Sequence, residues 1–416
     1  MKRFLKIFGF ILLGIPALCL VFAVANRINE RAMHEYVDTF ATVEYENQLT
    51  PEYDEDSVAY FVTDGDFKVL QITDVHITGG VLGVNEDKMA INAVAAMITA
   101  EKPDLVVVTG DISFPVPWAG TINNRFAHEL FGHLMEKLGV YWTLTLGNHD
   151  SEAYNFYNRQ AVAKMYDDDA LKYCLFTRDD GGIYGEGNHV INVRNGDGLI
   201  TKSLIMMDTH SYTDEDPFGI NWIYDNIHED QIEWYCGVVE KYSAYNLSLL
   251  ENMEHKPENI DDFTTVKSLL FTHIPLMETR IAVNEFLAGG SDDTKHIFGK
   301  IGEEAPYVYN SEIEEEMFET MLALGSTEAM FFGHDHLNNM VMEYKGIIFS
   351  YGYSIDYSAY NGDLENLGLQ RGCTVLTLSP SGEFGVGNIT HENYYQDKYQ
   401  PKYEKETVEM KGLYDN

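Results

Sequence analysis

The chain has 416 residues, enough for one large domain or several smaller ones, and its 45% apolar content excludes wholesale disorder. Its 66 acidic residues outnumber 28 basic ones, for a net charge of −38. Because this surplus of carboxylates would repel a polyanion, we expect no nucleic-acid partner. The four cysteines are too few and too scattered for a disulfide framework or a paired-cysteine zinc site. No protein partner is evident.

The first 31 residues form a distinct N-terminal segment. Three basic residues among the first six precede an uncharged apolar run over 7–25, close to the roughly 20 residues that a membrane-spanning helix needs. Basic residues before such a run predict that this end stays in the cytoplasm and the rest is exported. The run fits an uncleaved hydrophobic helix that anchors an extracytoplasmic domain in the cell membrane. It also fits a signal peptide cleaved after Ala25, which would give a secreted domain.

The next residues, 32–62, are polar and acidic with weak periodicity, which predicts a linker. Strands are then predicted over 67–73, 105–108 and 140–146, with helices over 85–101 and 126–138 between them. This alternation predicts a largely parallel α/β sheet. Further strands are predicted over 203–207, 268–271, 329–332, 346–350 and 374–378, with a helix over 230–245. The folded domain should span 63–390, followed by a polar tail over 391–416.

Polar residues recur where these apolar runs end. The set comprises Asp74 and His76, Asp111, Asn148 with His149 and Asp150, His273, and His334 with Asp335 and His336. Because the carboxyl ends of strands in open α/β sheets line one crevice, these groups should converge. Imidazoles, carboxylates and an amide suit divalent or trivalent ions such as Zn, Mn or Fe.

The spacing of two histidines favours two ions over one. On an extended strand, His334 and His336 would share a face, with their side chains roughly 7 Å apart. That distance is comfortable for ligands of two neighbouring ions. A glycine precedes each of Asp111, Asn148 and His334, which would let the backbone turn sharply as each strand ends.

The ordered motifs DxH, GD, GNHD, a lone histidine and GHxH, from Asp74 to His336, resemble those of the calcineurin-like metallophosphoesterases. The segments HIPLME from His273 and GHDHLNN from Gly333 look like the purple-acid-phosphatase-like branch. The resemblance implies a four-layer α/β/β/α sandwich of two mixed sheets. It also implies two metal ions, one held by Asp74, His76, Asp111 and His336, and one by Asp111, Asn148, His273 and His334, with Asp111 bridging.

One position departs from true purple acid phosphatases. In that family a tyrosine ligand follows the GD motif, whereas Asp111 is followed here by Ile112, Ser113 and Phe114. His76 offers the replacement ligand. We therefore expect no coloured ferric–tyrosinate centre, and Mn, Fe or Zn all remain open as the metal.

The chemistry implied is hydrolysis of a small phosphorylated substrate. Two ions lower the pKa of a bridging water, and the resulting hydroxide attacks phosphorus in line. His149 is the candidate general acid for the leaving alkoxide, with Asp150 or Asp335 orienting an imidazole. Trp118, in the loop after Asp111, is equally consistent with stacking on a leaving group and with packing.

Two alternatives stay open. Within enzymes, the chain could be a phosphodiesterase or a nucleotide-diphosphate hydrolase, since His149 would serve either leaving group. From another class, it could be a non-catalytic scaffold that keeps the fold with a degraded metal site. Ligand completeness separates the two classes. Every expected ligand is present, which favours an enzyme over the scaffold.

Overall fold

The computed structural model describes residues 2–178, 182–257, 260–303, 307–360 and 371–393, with the backbone alone for 2–13, 15, 261–262 and 393. The helices are α1 (Lys2–Val37), α2 (Val84–Glu101), α3 (Asn124–Leu138), α4 (Arg159–Tyr166), α5 (Glu229–Asn252), α6 (Asp261–Thr264), α7 (Met277–Leu287) and α8 (Met317–Leu324). The strands are β1 (Glu52–Tyr53), β2 (Ala59–Val62), β3 (Phe67–Ile72), β4 (Leu105–Thr109), β5 (Trp142–Thr145), β6 (His189–Arg194), β7 (Ile200–Met206), β8 (Ser268–Phe271), β9 (Thr294–Phe298), β10 (Thr327–Phe332), β11 (Val341–Tyr344), β12 (Ile347–Tyr351), β13 (Gly372–Leu378) and β14 (Ile389–Asn393).

The strands form two mixed sheets. The nine-stranded sheet has the order β1-β2-β6-β7-β8-β10-β12-β11-β9, and the five-stranded sheet has the order β14-β13-β3-β4-β5. In the smaller sheet β3, β4 and β5 are parallel, and β13 joins β3 antiparallel. In the larger sheet β7, β8, β10 and β12 are parallel. The predicted site residues therefore follow the carboxyl ends of parallel strands in both sheets.

Alternating side chains along β3 and β4 separate the layers. Val69 and Val107 lie in the core between the two sheets, whereas Leu70 and Val108 lie in a second core against α1 to α4. The far face of the larger sheet packs against α5, α7 and α8 in a third core. The predicted α/β fold with two mixed sheets is confirmed, with helices on both outer faces.

The structure differs from the predicted linker over 32–62. Met33, Val37 and Phe40 are buried in the core of the smaller sheet, and β2 pairs in parallel with β6. Their spacing is that of one helical face, but the acidic residues around them obscure it. At the other end, residues 391–393 complete β14, and the remainder of the predicted tail, 394–416, lies outside the described residues.

Helix α1 is attached to the domain near residue 26. The Asn26 side chain donates to the Gly120 carbonyl oxygen (2.9 Å) and accepts from the Val81 N–H (2.9 Å). Among the described residues, no helix combines the length and the apolar character needed to cross a membrane. The predicted N-terminal helix over 1–31 falls partly on side chains outside the described set, and its hydrophobic character stays a prediction.

Candidate dinuclear metal centre

The candidate site lies where the carboxyl ends of the two sheets meet. Thr73, just after β3, bridges in parallel to Ser354, just after β12. The Gln71 side chain donates to the carbonyl oxygen of Phe332 at the end of β10 (3.2 Å). These bonds draw together loops that are far apart in sequence.

Four of the predicted ligands form the first cluster, Asp74, His76, Asp111 and His336, with one ligand atom from each within 4.8 Å of all the others. His76 Nε2 lies 3.4 Å from Asp111 Oδ2, and His336 Nε2 lies 3.5 Å from Asp74 Oδ1. All four residues are buried. Two carboxylates and two imidazoles at this spacing are a suitable donor set for one ion.

The second cluster contains Asp111, His273 and His334, again with ligand atoms within 4.8 Å of one another. His273 Nε2 lies 3.1 Å from Asp111 Oδ2 and 3.1 Å from Asn148 Oδ1, so the predicted amide ligand lies here too. Asp111 belongs to both clusters, as its predicted bridging position requires. The structure thus brings all seven predicted ligands to one place.

Several of these ligand atoms are buried without a hydrogen-bond partner among the described residues. They are both ring nitrogens of His76, Asp111 Oδ2 and His334 Nε2. A buried polar atom with no partner costs free energy, and a buried carboxylate oxygen costs more. Cations between the clusters would satisfy these atoms together, so the residues present fit a pair of metal ions.

The backbone at the site is strained. Asp74 (φ 51°), His76 (φ 54°), Asp111 (φ 53°) and His334 (φ 77°) all adopt the left-handed conformation. For residues other than glycine this costs about 1–3 kcal/mol each and persists only where the surroundings impose it. The strain directs these side chains into the cleft at abrupt strand ends.

The predicted geometry of the GHxH motif is wrong in one respect. Strand β10 ends at Phe332, so His334 and His336 lie in a turn and not on an extended strand. The predicted outcome nevertheless holds, since the two histidines belong to different clusters.

The glycines before the ligands act mainly through their size. A Cβ at Gly147 would lie 2.1 Å from Asp111 Oδ1, and a Cβ at Gly333 would lie 1.9 Å from Thr73 Oγ1. At Gly110 both reasons apply, because φ is +81° and a Cβ would lie 2.5 Å from His273 Nδ1. The sharp turn expected from a positive φ therefore describes Gly110, whereas the other two allow close approach.

His149 lies at the edge of the clusters with its imidazole partly exposed. Its backbone N–H donates to Asp111 Oδ1 (2.8 Å), and its Nδ1 lies 2.7 Å from Glu152 Oε1. Burial lowers the pKa of His149, but the nearby Asp111 and the hydrogen bond to Glu152 outweigh it and raise that pKa. An oriented imidazole beside two candidate metal positions suits proton donation.

The structure corrects the predicted role of Asp150. Its carboxylate accepts from the backbone N–H groups of Asp111 (3.0 Å), Ser113 (2.9 Å) and Gly147 (2.8 Å). It therefore ties the loops after β4 and β5 together, and Glu152 is the carboxylate that bonds His149. Sequence reasoning missed Glu152 because its contact depends on the 3-10 turn over His149–Ser151.

Asp335, the other predicted orienting carboxylate, also has a different contact. It bonds the Tyr351 hydroxyl and the Tyr309 N–H. Asp356 takes the expected role instead, with Oδ2 3.1 Å from His336 Nδ1 and Oδ1 3.7 Å from His76 Nδ1. Asp356 follows the apolar strand β12, which is the same strand-end signal that identified the other site residues.

A largely buried cation, Arg159, supports the Asn148 loop. Arg159 donates to the carbonyl oxygens of Leu146 (2.8 Å) and Gly147 (2.9 Å) and pairs with Asp208 through two nitrogens. Burial would raise the pKa of Asp208, but Arg159 and His210 lower it to about 2. Asp208 therefore has a structural role behind this loop.

Without metal, two of the candidate ligands hold protons. Burial alone would lower the pKa of His273, yet Asp111 raises it to about 9. Burial opposes protonation of His336 as well, but Asp74 and Asp356 raise its pKa to about 10. By contrast, burial and the neighbouring His273 hold the pKa of His334 well below its ordinary value.

Comparison with known proteins now identifies the family. The sequence model for calcineurin-like phosphoesterases matches residues 67–338, more than half of the chain. The chain belongs to the calcineurin-like phosphoesterase family. That membership supports a hydrolase with a metal site, which agrees with the buried Asp and His clusters.

Its curated relatives are purple-acid-phosphatase-like. The chain is 26% identical over 319 residues to "Probable inactive purple acid phosphatase 14" of Arabidopsis thaliana, covering 72% of this chain and 73% of the relative. It is 26% identical over 318 residues to "Probable inactive purple acid phosphatase 29" of the same plant, covering 72% and 74%. A solved dimetal phosphatase from Danio rerio matches 75% of this chain and 92% of its own, with 13% identity and a TM-score of 0.39.

Metal binding should depend on pH with a defined slope. A metal-bound imidazole must be neutral, so each ion must displace one proton, from His336 (pKa about 10) or His273 (pKa about 9). We expect the affinity of each cluster for Zn or Mn to rise about tenfold per pH unit between roughly pH 6.5 and 8.5. Chelator competition at several pH values measures this affinity. An affinity that does not change over that range would contradict the assignment.

Proposed function

We propose that this chain is a dinuclear-metal-dependent phosphatase that hydrolyses small phosphate esters. The observation that carries the proposal is the pair of buried clusters sharing Asp111, with seven candidate ligands in one cleft. His149 and its partner Glu152 lie beside them. When bound, the two ions supply an activated water as nucleophile and neutralise the charge of the phosphate.

The protein's own residues would perform the remaining tasks. Asp111 would hold both ions, since its carboxylate belongs to both clusters. Asn148 presents its amide Oδ1 to the second cluster beside His273 (3.1 Å). His149, held by Glu152, donates a proton to the leaving oxygen, and the partial exposure of its ring lets a substrate reach it.

The completeness of the site supports catalysis over a scaffold role. The curated relatives carry names that describe them as probably inactive. This chain, however, has every predicted ligand, a candidate acid and the carboxylates that orient them. A fold retained only for partner binding would have no need of strained backbone at the ligand positions. It would also have no need of buried ligand atoms that lack a hydrogen-bond partner.

The charge around the clusters favours monoesters over nucleotide diphosphates. Among the described residues, no lysine or arginine side chain bonds or stacks against the seven candidate ligands. Arg159 is committed to Asp208 and two carbonyl oxygens. Within the described residues, no cation in contact with these ligands would be available to a second phosphate outside the metal positions.

Initial rates on two nitrophenyl esters test the proposal. With Mn or Zn supplied to the full-length chain, we expect hydrolysis of the phosphate monoester to exceed that of the bis-nitrophenyl diester, and a chelator to abolish both. A diester preference would instead support a phosphodiesterase. No chelator-sensitive rate on either ester would reject the phosphatase and favour the scaffold.

The role of His149 predicts a dependence on the leaving group. His149→Ala should keep both metals but lower kcat by about 100-fold on an alkyl phosphate, whose alkoxide needs a proton. The loss should be much smaller on nitrophenyl phosphate, because nitrophenolate leaves without protonation. His133→Ala is the matched control, since His133 lies on α3 and bonds Asp38. An equal loss on both substrates would argue against the acid role.

We also propose that the domain works outside the cytoplasmic membrane, held there by the N-terminal segment. The three basic residues before the apolar run support this location. The course of α1 supports an anchor over a signal peptide, because the helix continues through Ala25 and Asn26 bonds the domain. Cell fractionation should recover the chain in the membrane at full mass. A soluble product that begins at Asn26 would reject the anchor.

A further inference from the structure

Aromatic side chains border both metal clusters. The Phe114 ring stacks on His76 of the first cluster at 4.7 Å and stands edge-on to His149 at 4.9 Å. The Tyr224 ring stands edge-on to His334 of the second cluster at 4.7 Å. The walls of the cleft nearest the candidate reacting centre are therefore made of rings.

The second of these rings, that of Tyr224, belongs to the loop over residues 211–225, which internal contacts hold together. Tyr212 and Tyr224 pair across its base, with their rings stacked at 5.3 Å. The Tyr212 hydroxyl accepts from Asn148 Nδ2 (3.3 Å), which links the loop to a candidate ligand. Within the loop, the Asp216 carboxylate accepts from the N–H groups of Ile220 (2.9 Å) and Asn221 (2.8 Å).

This loop holds apolar side chains in solvent. Phe218, Ile220 and Trp222 are 59%, 79% and 61% exposed. Trp222 also has a left-handed backbone (φ 55°), which is unfavourable for a bulky residue. Beside the other ring, Trp118 is 56% exposed and lies 6.3 Å from Phe114 between ring centroids.

Such an arrangement is typical of a ligand-binding rim. Exposed apolar residues that cluster beside a polar cleft mark a contact surface, and a loop that is already ordered loses little entropy when it binds. In the described part of the chain, no lysine or arginine side chain bonds or stacks against the candidate ligands, so the contacts there do not favour a substrate with further anionic groups. Neutral rings recognise a neutral planar group best, by stacking or edge contacts.

We propose that the alcohol part of the substrate is an uncharged aromatic group that lies against Trp118 and Trp222. This inference rests on the phosphatase activity proposed above. In the reaction, the ester P–O bond breaks, the oxygen of water bonds to phosphorus, and the aromatic alcohol leaves with a proton from His149. Trp118 and Trp222 are thus specificity residues for the leaving group.

Three phosphate monoesters of unactivated primary alcohols test the proposal on the full-length chain with Mn. Benzyl phosphate carries a ring, hexyl phosphate a flexible apolar chain, and ethyl phosphate neither. Because the three alcohols are similarly poor leaving groups, differences in kcat/KM report recognition. We expect benzyl phosphate to exceed ethyl phosphate by about tenfold or more, mainly through KM, and to exceed hexyl phosphate.

Two variants assign the preference to the rim. Trp222→Asn removes the ring but keeps a residue that tolerates the left-handed backbone, and Trp118→Ala removes the other ring independently. Each should raise the KM for benzyl phosphate several-fold and change kcat/KM for ethyl phosphate much less. Tyr53→Ala is the matched control, because Tyr53 is 59% exposed on β1 at the outer edge of the larger sheet.

The possible outcomes separate this inference from the proposed function. Similar kcat/KM for all three esters would overturn the aromatic assignment and leave the phosphatase intact. A preference for hexyl phosphate would also overturn it, since the rim would then select apolar chains. If neither tryptophan variant changes the benzyl preference, the assignment to these residues is wrong. If no ester is hydrolysed, the phosphatase proposal fails and this inference fails with it.

Discussion

A single buried carboxylate, that of Asp111, is the constraint on which the rest of the site depends. Its Oδ2 atom lies 3.4 Å from His76 Nε2 in one cluster and 3.1 Å from His273 Nε2 in the other. Burial would raise its pKa, but His273 and His149 hold that pKa well below its ordinary value. A charge kept in the interior must be compensated nearby. Histidines compensate it in the metal-free protein, and the same two clusters could hold cations in place of those protons.

The surrounding contacts make this position rigid. Asp150 bonds the Asp111 N–H from below, and Gly147 leaves room for the Asp111 carboxylate where any Cβ would collide. Behind the same loop, Arg159 holds two carbonyl oxygens and Asp208. Contacts from the residues that surround the ligands fix the orientation of the ligand side chains. They also keep the strained backbone from relaxing. The four left-handed ligand positions are stable because the neighbouring loops impose them.

The strand-end motifs of the sequence predict most of the site, and the physical reason is topological. Polar residues after buried parallel strands must share one edge of a sheet, so Asp74, Asp111 and His273 could be grouped without coordinates. Contacts between side chains in turns cannot be predicted from strand order. Glu152 reaches His149 only because the chain turns after Asn148, and Asp150 faces backbone N–H groups in place of an imidazole.

In the fold, too, some elements can be predicted from hydrophobic periodicity, whereas others depend on their neighbours in the structure. Helices α2 and α3 and the parallel strands follow hydrophobic periodicity, and their predicted bounds lie within a few residues of those observed. The segment 32–62 carries a weaker periodic signal, because acidic residues surround the buried face of Met33, Val37 and Phe40. Edge strands such as β9 and β14 have little apolar signal of their own and are defined by pairing with β11 and β13.

The number of metal ions bound per chain tests the central claim most directly. Full-length protein should be used, since α1 is bonded to the domain through Asn26. After reconstitution with Zn or Mn and removal of excess metal, elemental analysis should find two ions per wild-type chain, and Asp111→Asn should lose both. One ion in the wild-type chain, or two ions retained by the variant, would contradict a centre built around a shared carboxylate.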